Sequence, residues 1–505
     1  MRSRAIRGVA TLALCAAVAV AVAGGGGSAA AATNSNLLFA SLTGTNPNFD
    51  PAQGSINMNY FLAPVYDTLI RESTNGTFSP NLATKWGYTN PKTFTMTLRT
   101  GIKFTDGTPF DAAAVKANLM HVKTGKGPLA SEMSVLKSVT VLSPSRVRLN
   151  LSQPYPSMPT VLASVSGMMA SPKVLNSKSL ATSPVGTGPY TLDTSATVTN
   201  DTYVYDKRSD YWNSAAYPYK QISVKNMDPA AALNALQSGQ LNAAEFGDAT
   251  SISRIKKAGI PFTGGPYNVW TLFLLDRGGK KVPALKSPLV RQALNYAINR
   301  PALVKAVQLG YGRPTTQLVK PGQPGYSAKM DKAYPYDPAK AKKLLAQAGY
   351  AKGFDLPAVS VSIGDTAMSA LKSYLRAVGV NLKIKDVPIG DWIGDIVAGK
   401  YPAAFLPYGV VETYYDYGQF ATPGAGFNPF HSSDAVVNRL YKQAASAPAS
   451  KRNALLRELN ERLVKQAWFL PMFSDTFGIA HSKSVKGIVW KSLRPPLYYR
   501  WSPAS

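Results

Sequence analysis

Cysteine is almost missing from this 505-residue chain: its single copy, Cys15, stands in an apolar N-terminal stretch. With that stretch cut away, neither a disulfide framework nor a thiol nucleophile remains. Histidine is scarce too. His121, His431 and His481 are scattered, and with no His-x-x-x-His pair a metal site has no ligand spacing to rest on. Acidic residues are outnumbered, 27 against 55 lysines and arginines, giving a formal net charge of +28. Such an excess favours anionic surfaces, and nucleic acid is the first partner to weigh. The basic residues are dispersed, however, and no nucleic-acid-binding module occurs, so nucleic acid is set aside and the charge is read as attraction to an acidic cell envelope or an anionic partner. There is no Gly-x-Ser-x-Gly elbow and no phosphate loop ending in Lys-Ser or Lys-Thr. With reacting groups this sparse the chain is read as a non-enzyme needing no cofactor and no metal; a secreted hydrolase is the alternative of another class. No apolar run reaches the roughly 20 residues that a membrane-spanning helix requires.

What is there begins with an export signal. Arg2, Arg4 and Arg7 precede the apolar run from Val9 to Ala23, followed by GGGGS and Ala29 to Ala32. This is the layout of a secretory signal peptide over residues 1–32, so the mature protein is expected at the outer face of the cytoplasmic membrane, in a periplasm or outside the cell. Cleavage near Ala32 removes Cys15. Lipidation of Cys15 is the other reading, against which Leu14 occupies the place of a small residue.

The remaining length suggests two or more domains. In FTMTLRTGIKFTDGTPFDAAAVKAN, from Phe94 to Asn118, Phe94, Met96 and Leu98 alternate with polar residues as in a half-buried strand. Ile102 to Phe104 resume the alternation, Asp106-Gly107 supplies turn chemistry to close a second short strand, and Asp111 is placed to cap an Ala-rich helix. Thr140 to Leu151 reads as a hairpin around Ser143-Pro144. From Ser287 to Arg300, a cap at Ser287 and Pro288 in the first turn precede an apolar stripe of Leu289, Val290, Ala293, Leu294, Ala297 and Ile298. Asp337 to Gly349 forms another capped helix. VSVSI, SALKSYLRAVG and NLKIKDV then alternate strand, helix and strand, the mark of α/β layering.

The first stretch closely resembles the F-T-x-x-L-R-x-G-x-K-F-x-D-G-T-P-F signature of the family 5 extracytoplasmic solute-binding proteins, the dipeptide- and oligopeptide-binding receptors of ABC importers. Further motifs follow in the family's order: Tyr66-Asp67-Thr68-Leu69, Pro80-Asn81-Leu82-Ala83 with Trp86, Val185 to Tyr190, Tyr211-Trp212, Val290 to Arg300, and Tyr336 to Tyr350. Several motifs in order are far more specific than one.

The resemblance implies a two-lobed α/β fold of the periplasmic-binding-protein kind, with an interlobe ligand cleft and an enlarged, discontinuous first lobe. The expected division is 33–265 for the first part of lobe I, 266–478 for lobe II and 479–505 for the return to lobe I. It also implies an ABC permease and its ATPase as partners, and a monomer that captures short peptides. An oligosaccharide or a metal chelate is the alternative solute.

Ligand-facing residues are expected in YGVVETYYDYGQF, from Tyr408 to Phe420, where the family places an aspartate that pairs with a peptide's ammonium. Asp416 matches the second acid of that pattern, while the first acid's place falls near Val411 to Thr413. Glu412, Tyr408, Tyr414 and Tyr415 surround it, and Trp392 lies upstream. Rings with polar tips suit peptide side chains and sugar faces alike. Trp270, in the apolar run Val269 to Leu275, is read either as core or as a wall of the cleft. The competing role for Asp416 is to cap a turn.

Overall fold

Two strands of 13 residues each, Phe262–Leu274 and Phe469–His481, run side by side through the whole molecule and join its two halves. In this computed structural model, which describes residues 35–504 except 43, 45, 74, 410, 492 and 493, they lie at the centre of one long sheet. The expected signal peptide and Cys15 lie outside the described residues. To one side of the pair stand Ala403–Gly409, Phe354–Ser360 and Val380–Asp386, joined by helices such as Asp365–Arg376 and Ile389–Val397. To the other stand Ala243–Phe246, Asn36–Ser41, Gln221–Asn226, Thr202–Lys207 and Tyr190–Val198. The strands 354–360 and 380–386 are parallel and need the helical crossover between them.

Two main hydrophobic cores follow from this layout. One is built mainly from residues 37–243 and the returning chain, where Val485 is buried and Tyr498 and Trp501 pack on Phe39, and it also takes in Tyr414, Ala444 and Leu456. The other draws only on residues 269–473. The two-lobed α/β fold with a discontinuous first lobe is thus present.

Local expectations fare unevenly. Asp111 caps its helix by accepting from Ala114 N at 2.8 Å, and Asp337 does the same for Lys340 N. Strand Thr93–Leu98 alternates in burial as its side chains do, and it pairs with Ala83–Asn90 and Arg146–Leu151 in a separate four-stranded sheet. The expected second short strand is reduced to one bridge, Lys103 with Pro109, because the turn at Gly107 (φ 79°) closes too soon for a longer ladder. Ser287 occupies the N-cap position but its hydroxyl makes no cap bond, and Leu289 points outward, 37% exposed. That helix stops at Tyr296 and a second one starts at Arg300, capped by Asn299. The family motifs meet in space: a Cβ on Gly186 would lie 1.9 Å from Val65 O, so only glycine lets the Val185–Tyr190 turn rest on the Tyr66-Asp67 segment.

Candidate functional site

Where the two long strands pass from one core to the other, their ladder slips. Pro266 pairs with Thr476 and Val269 with Ser474, so Tyr267 and Asn268 face Asp475 alone. Two residues opposite one make a bulge and leave ladder groups to be satisfied by side chains. Asp475, 4% exposed, does much of this. Its Oδ1 accepts from Asn268 N at 2.8 Å, and its Oδ2 from Asn268 Nδ2 at 2.9 Å and Trp270 Nε1 at 2.8 Å. Burial raises its carboxyl above the ordinary range, against these three bonds.

Lys320 completes the crossing. It too is 4% exposed, and its Nζ donates to Tyr267 O at 2.6 Å and to Pro266 O at 3.4 Å. Burial pulls its ammonium down to about 8, while the carboxylates of Asp416 and Asp475 act the other way. Neither Lys320 nor Asp475 carries a sequence signal, since a lone lysine in a loop and a lone acid in an apolar strand have no periodicity or spacing to mark them.

Asp416 connects this crossing to the segment expected to face ligand. Helix Thr413–Phe420 starts at Glu412, whose side chain accepts from Tyr414 N at 3.0 Å and Tyr415 N at 2.9 Å. Asp416 reaches back one turn to accept from Glu412 N at 3.0 Å, Val411 N at 3.1 Å and Tyr408 OH at 3.2 Å. The two acids thus cap one helix start reciprocally, as in a capping box. Burial, and then the charge of Glu412, push the Asp416 carboxyl well above its usual range, while the donors at Val411, Tyr408 and Glu412 hold it back. Its oxygens are largely committed to their own turn.

Glu412, Tyr414 and Tyr415 also touch the other lobe. Tyr415 OH donates to Glu132 Oε1 at 2.7 Å, and Ser157 OH donates to the Glu412 carboxylate. Tyr414 stacks on Tyr441 at 4.3 Å and stands edge-on to Tyr155 at 6.2 Å. Glu132 is steadied by the Ser166 hydroxyl at 2.7 Å. Trp270 packs flat on Phe473 at 5.3 Å while its N–H serves Asp475, so it is both core and part of the crossing. The structure therefore brings six of the expected residues to one region. Trp392 is apart: it packs into the second core from helix Ile389–Val397, and its indole N–H has no partner among the described residues. Tyr155, Ser157 and Glu132 were invisible as partners, being up to 283 residues distant in sequence.

Chemically the region offers carboxylates, phenols and one ammonium. The histidines lie elsewhere: His121 is on Asp50 at 2.8 Å, and His431 and His481 are on backbone carbonyls. Among the described residues no group of three or more His, Cys, Asp or Glu could hold a metal ion, and no helix is long and apolar enough to cross a membrane.

One expectation follows from the bridging pair. A hydrogen bond to a charged group contributes about 1.5–3 kcal/mol, so Tyr415→Phe should shift the balance of the lobes toward open by about tenfold to a hundredfold. Spin labels on the two lobes would read the shift as a longer distance, and an unchanged distribution would deny the pair a role in closure.

Known proteins carry the same layout. The family model for bacterial extracellular solute-binding proteins, family 5 Middle, matches residues 77–428. The glutathione-binding protein GsiB of Escherichia coli (strain K12) is 30% identical over 429 residues, which are 78% of this chain and 80% of that protein. In fold the chain is similar to the ABC transporter-associated periplasmic binding protein DppA from Helicobacter pylori in complex with peptide STSA, with a TM-score of 0.79 at 21% identity over 93% of this chain and 98% of that one. It is similar also to NikA from Brucella suis in complex with Fe(III)-EDTA, with a TM-score of 0.77 at 23% identity over 93% of this chain and all of that one. Motif order, fold and the family model agree: the chain belongs to family 5 of the bacterial extracellular solute-binding proteins, the substrate-binding components of ABC importers.

Proposed function

We propose that the protein captures a short peptide between its lobes and delivers it, chemically unchanged, to a membrane permease powered by a separate ATPase. The observation that carries this reading is the meeting of Glu412, Tyr414 and Tyr415 from one lobe with Glu132, Tyr155 and Ser157 from the other, beside the strand crossing. A solute held there would be gripped by both lobes at once, and hinge closure would hide it from water. The kinship with a glutathione-binding protein supports a peptide of a few residues. Since Asp416 and Glu412 are both taken up by the turn they cap, the groups left to read a peptide's ends are Glu132 for an ammonium and Lys320 for a carboxylate. The chain would act as an exported monomer with Cys15 removed with the leader, and its positive charge would hold it near an acidic envelope.

Native mass spectrometry of the protein as purified tests the solute directly, because a closed binding protein retains its ligand. An added mass resolving to a short peptide is the expected outcome. The tyrosines favour a second reading, an oligosaccharide stacked on their rings, and a carbohydrate in that spectrum would replace the peptide. Incubation with the bound peptide should yield no cleavage; hydrolysis abolished by Glu412→Gln would move the protein to the enzymes.

A further inference from the structure

Apart from the strand crossing, the molecule holds a cavity of about 520 Å³ to which no residue between 266 and 478 contributes. It lies between the hairpin of strands Ile70–Glu72 and Phe78–Pro80, the turn at Ala163-Ser164 and the returning chain at Gly487, Val489 and residues 494–500. Small-molecule sites are typically about 300–1,000 Å³, so the space is of ligand size.

Its polar groups are unevenly satisfied. Glu72 faces Arg494 at 3.3 Å, and Asp67 accepts from Tyr211 OH at 2.8 Å and from Asn81 Nδ2 at 3.4 Å. Arg71 has capacity to spare: Nη2 donates to Asn81 Oδ1 at 2.6 Å, and its other N–H groups make no hydrogen bond among the described residues. Its guanidinium lies 4.0 Å over the Tyr499 ring, and that of Arg500 is 5.2 Å from the same ring. Two cations are thus gathered on one aromatic platform. Asp67, whose charge acts on Arg71, is made harder to ionise by its burial, so it offsets them only in part. The rest of the wall includes Met168, Tyr217 and Leu497, which suit an apolar body.

We propose that this cavity is a second binding site, which takes a small aromatic carboxylate with its anionic group on Arg71 and its ring against Tyr217 and Met168. A guanidinium fork with open donors matches a carboxylate in geometry as well as charge. The site is independent of the solute reading at the crossing.

Isothermal titration of 2-naphthoate into the full mature protein at low salt tests it. One saturating site is expected. Arg71→Gln should weaken it at least tenfold, Ser164→Trp should abolish it by filling the space, and Tyr415→Ala at the crossing should leave it unchanged. The proposal falls if no saturating heat appears, if Arg71→Gln binds as well as the parent, or if Tyr415→Ala alone removes binding. Each variant is first checked by its melting curve. Should Ser164→Trp fail to fold, the change Arg71→Gln at this half-buried residue decides by itself, and Arg71→Lys decides in its place if that too is unfolded.

Discussion

Replacing Asp475 with alanine is expected to cost the protein about 3–5 kcal/mol of stability, more than any other single change at the crossing. The side chain is the acceptor for three donors, Asn268 N, Asn268 Nδ2 and Trp270 Nε1. A buried donor left without a partner costs about 1–3 kcal/mol. Water can reach part of the space at Asn268, which is half-buried, so the three losses fall short of their full sum. Lys320 also loses one of the two carboxylates that favour its charge. The damage lands on the bulge that sets one lobe against the other, so Asp475→Ala should broaden the distribution of interlobe distances as well as lower the unfolding midpoint. Asp475→Asn, which keeps one acceptor, should lose about half as much. Urea unfolding followed by tryptophan emission measures both variants. A loss below about 1 kcal/mol for the alanine would mean that the bulge holds itself without this side chain.

The uneven legibility of the chain has a physical origin. What depends on neighbours in sequence could be read: Asp111 and Asp337 cap their helices because a carboxylate three residues before a free N–H reaches it in any protein. Alternation in Thr93–Leu98 reports a half-buried strand for the same local reason. What depends on distant packing could not be read. The helix from Pro288 breaks after Tyr296 where Arg300 is buried, its guanidinium donating to Pro471 O at 2.8 Å and Asn295 O at 3.0 Å, and no periodicity announces a buried arginine. The strand expected at VSVSI runs instead from Phe354 to Ser360, so it takes in only Val359 and Ser360 of that stretch, and it passes through Pro357, a residue that argues against a central strand. It is tolerated because the ladder with Ala403–Gly409 begins only at Ala358. At the candidate site the aromatic and acidic segment 408–420 stood out by composition, but its partners Glu132 and Ser157 and the pins Lys320 and Asp475 are joined to it only by the fold. Trp392 has the composition of a ligand wall and the position of a core residue.

Between pH 8 and pH 10.5 the protein is expected to gain about 3 kcal/mol of stability relative to a Lys320→Met variant. In the unfolded chain this lysine titrates near its ordinary 10.5, whereas burial in the folded protein brings it to about 8. Within that window the unfolded chain therefore carries a proton that the folded chain has released, and raising the pH favours folding. Below pH 8 both states hold the proton and this residue adds no slope; the stability it contributes is complete above pH 10.5 and is lost as pH falls through 8. Buried tyrosines such as Tyr408, held well above their usual range, act in the opposite sense once unfolded tyrosines ionise, but they do so in both proteins and cancel in the difference. Urea unfolding of the two proteins in steps from pH 7 to 10.5 gives the curve, and parallel curves would show that Asp416 and Asp475 keep the ammonium charged throughout. The same titration bears on function. At pH 7 the ammonium sits charged at the crossing, bonded to Tyr267 O and Pro266 O, with donor capacity left for a carboxylate. Affinity for a peptide with a free carboxyl end should then fall as pH rises past 8, while affinity for the same peptide with that end amidated should stay level, and calorimetry on the pair separates a lysine that reads the solute from one that only pins the bulge.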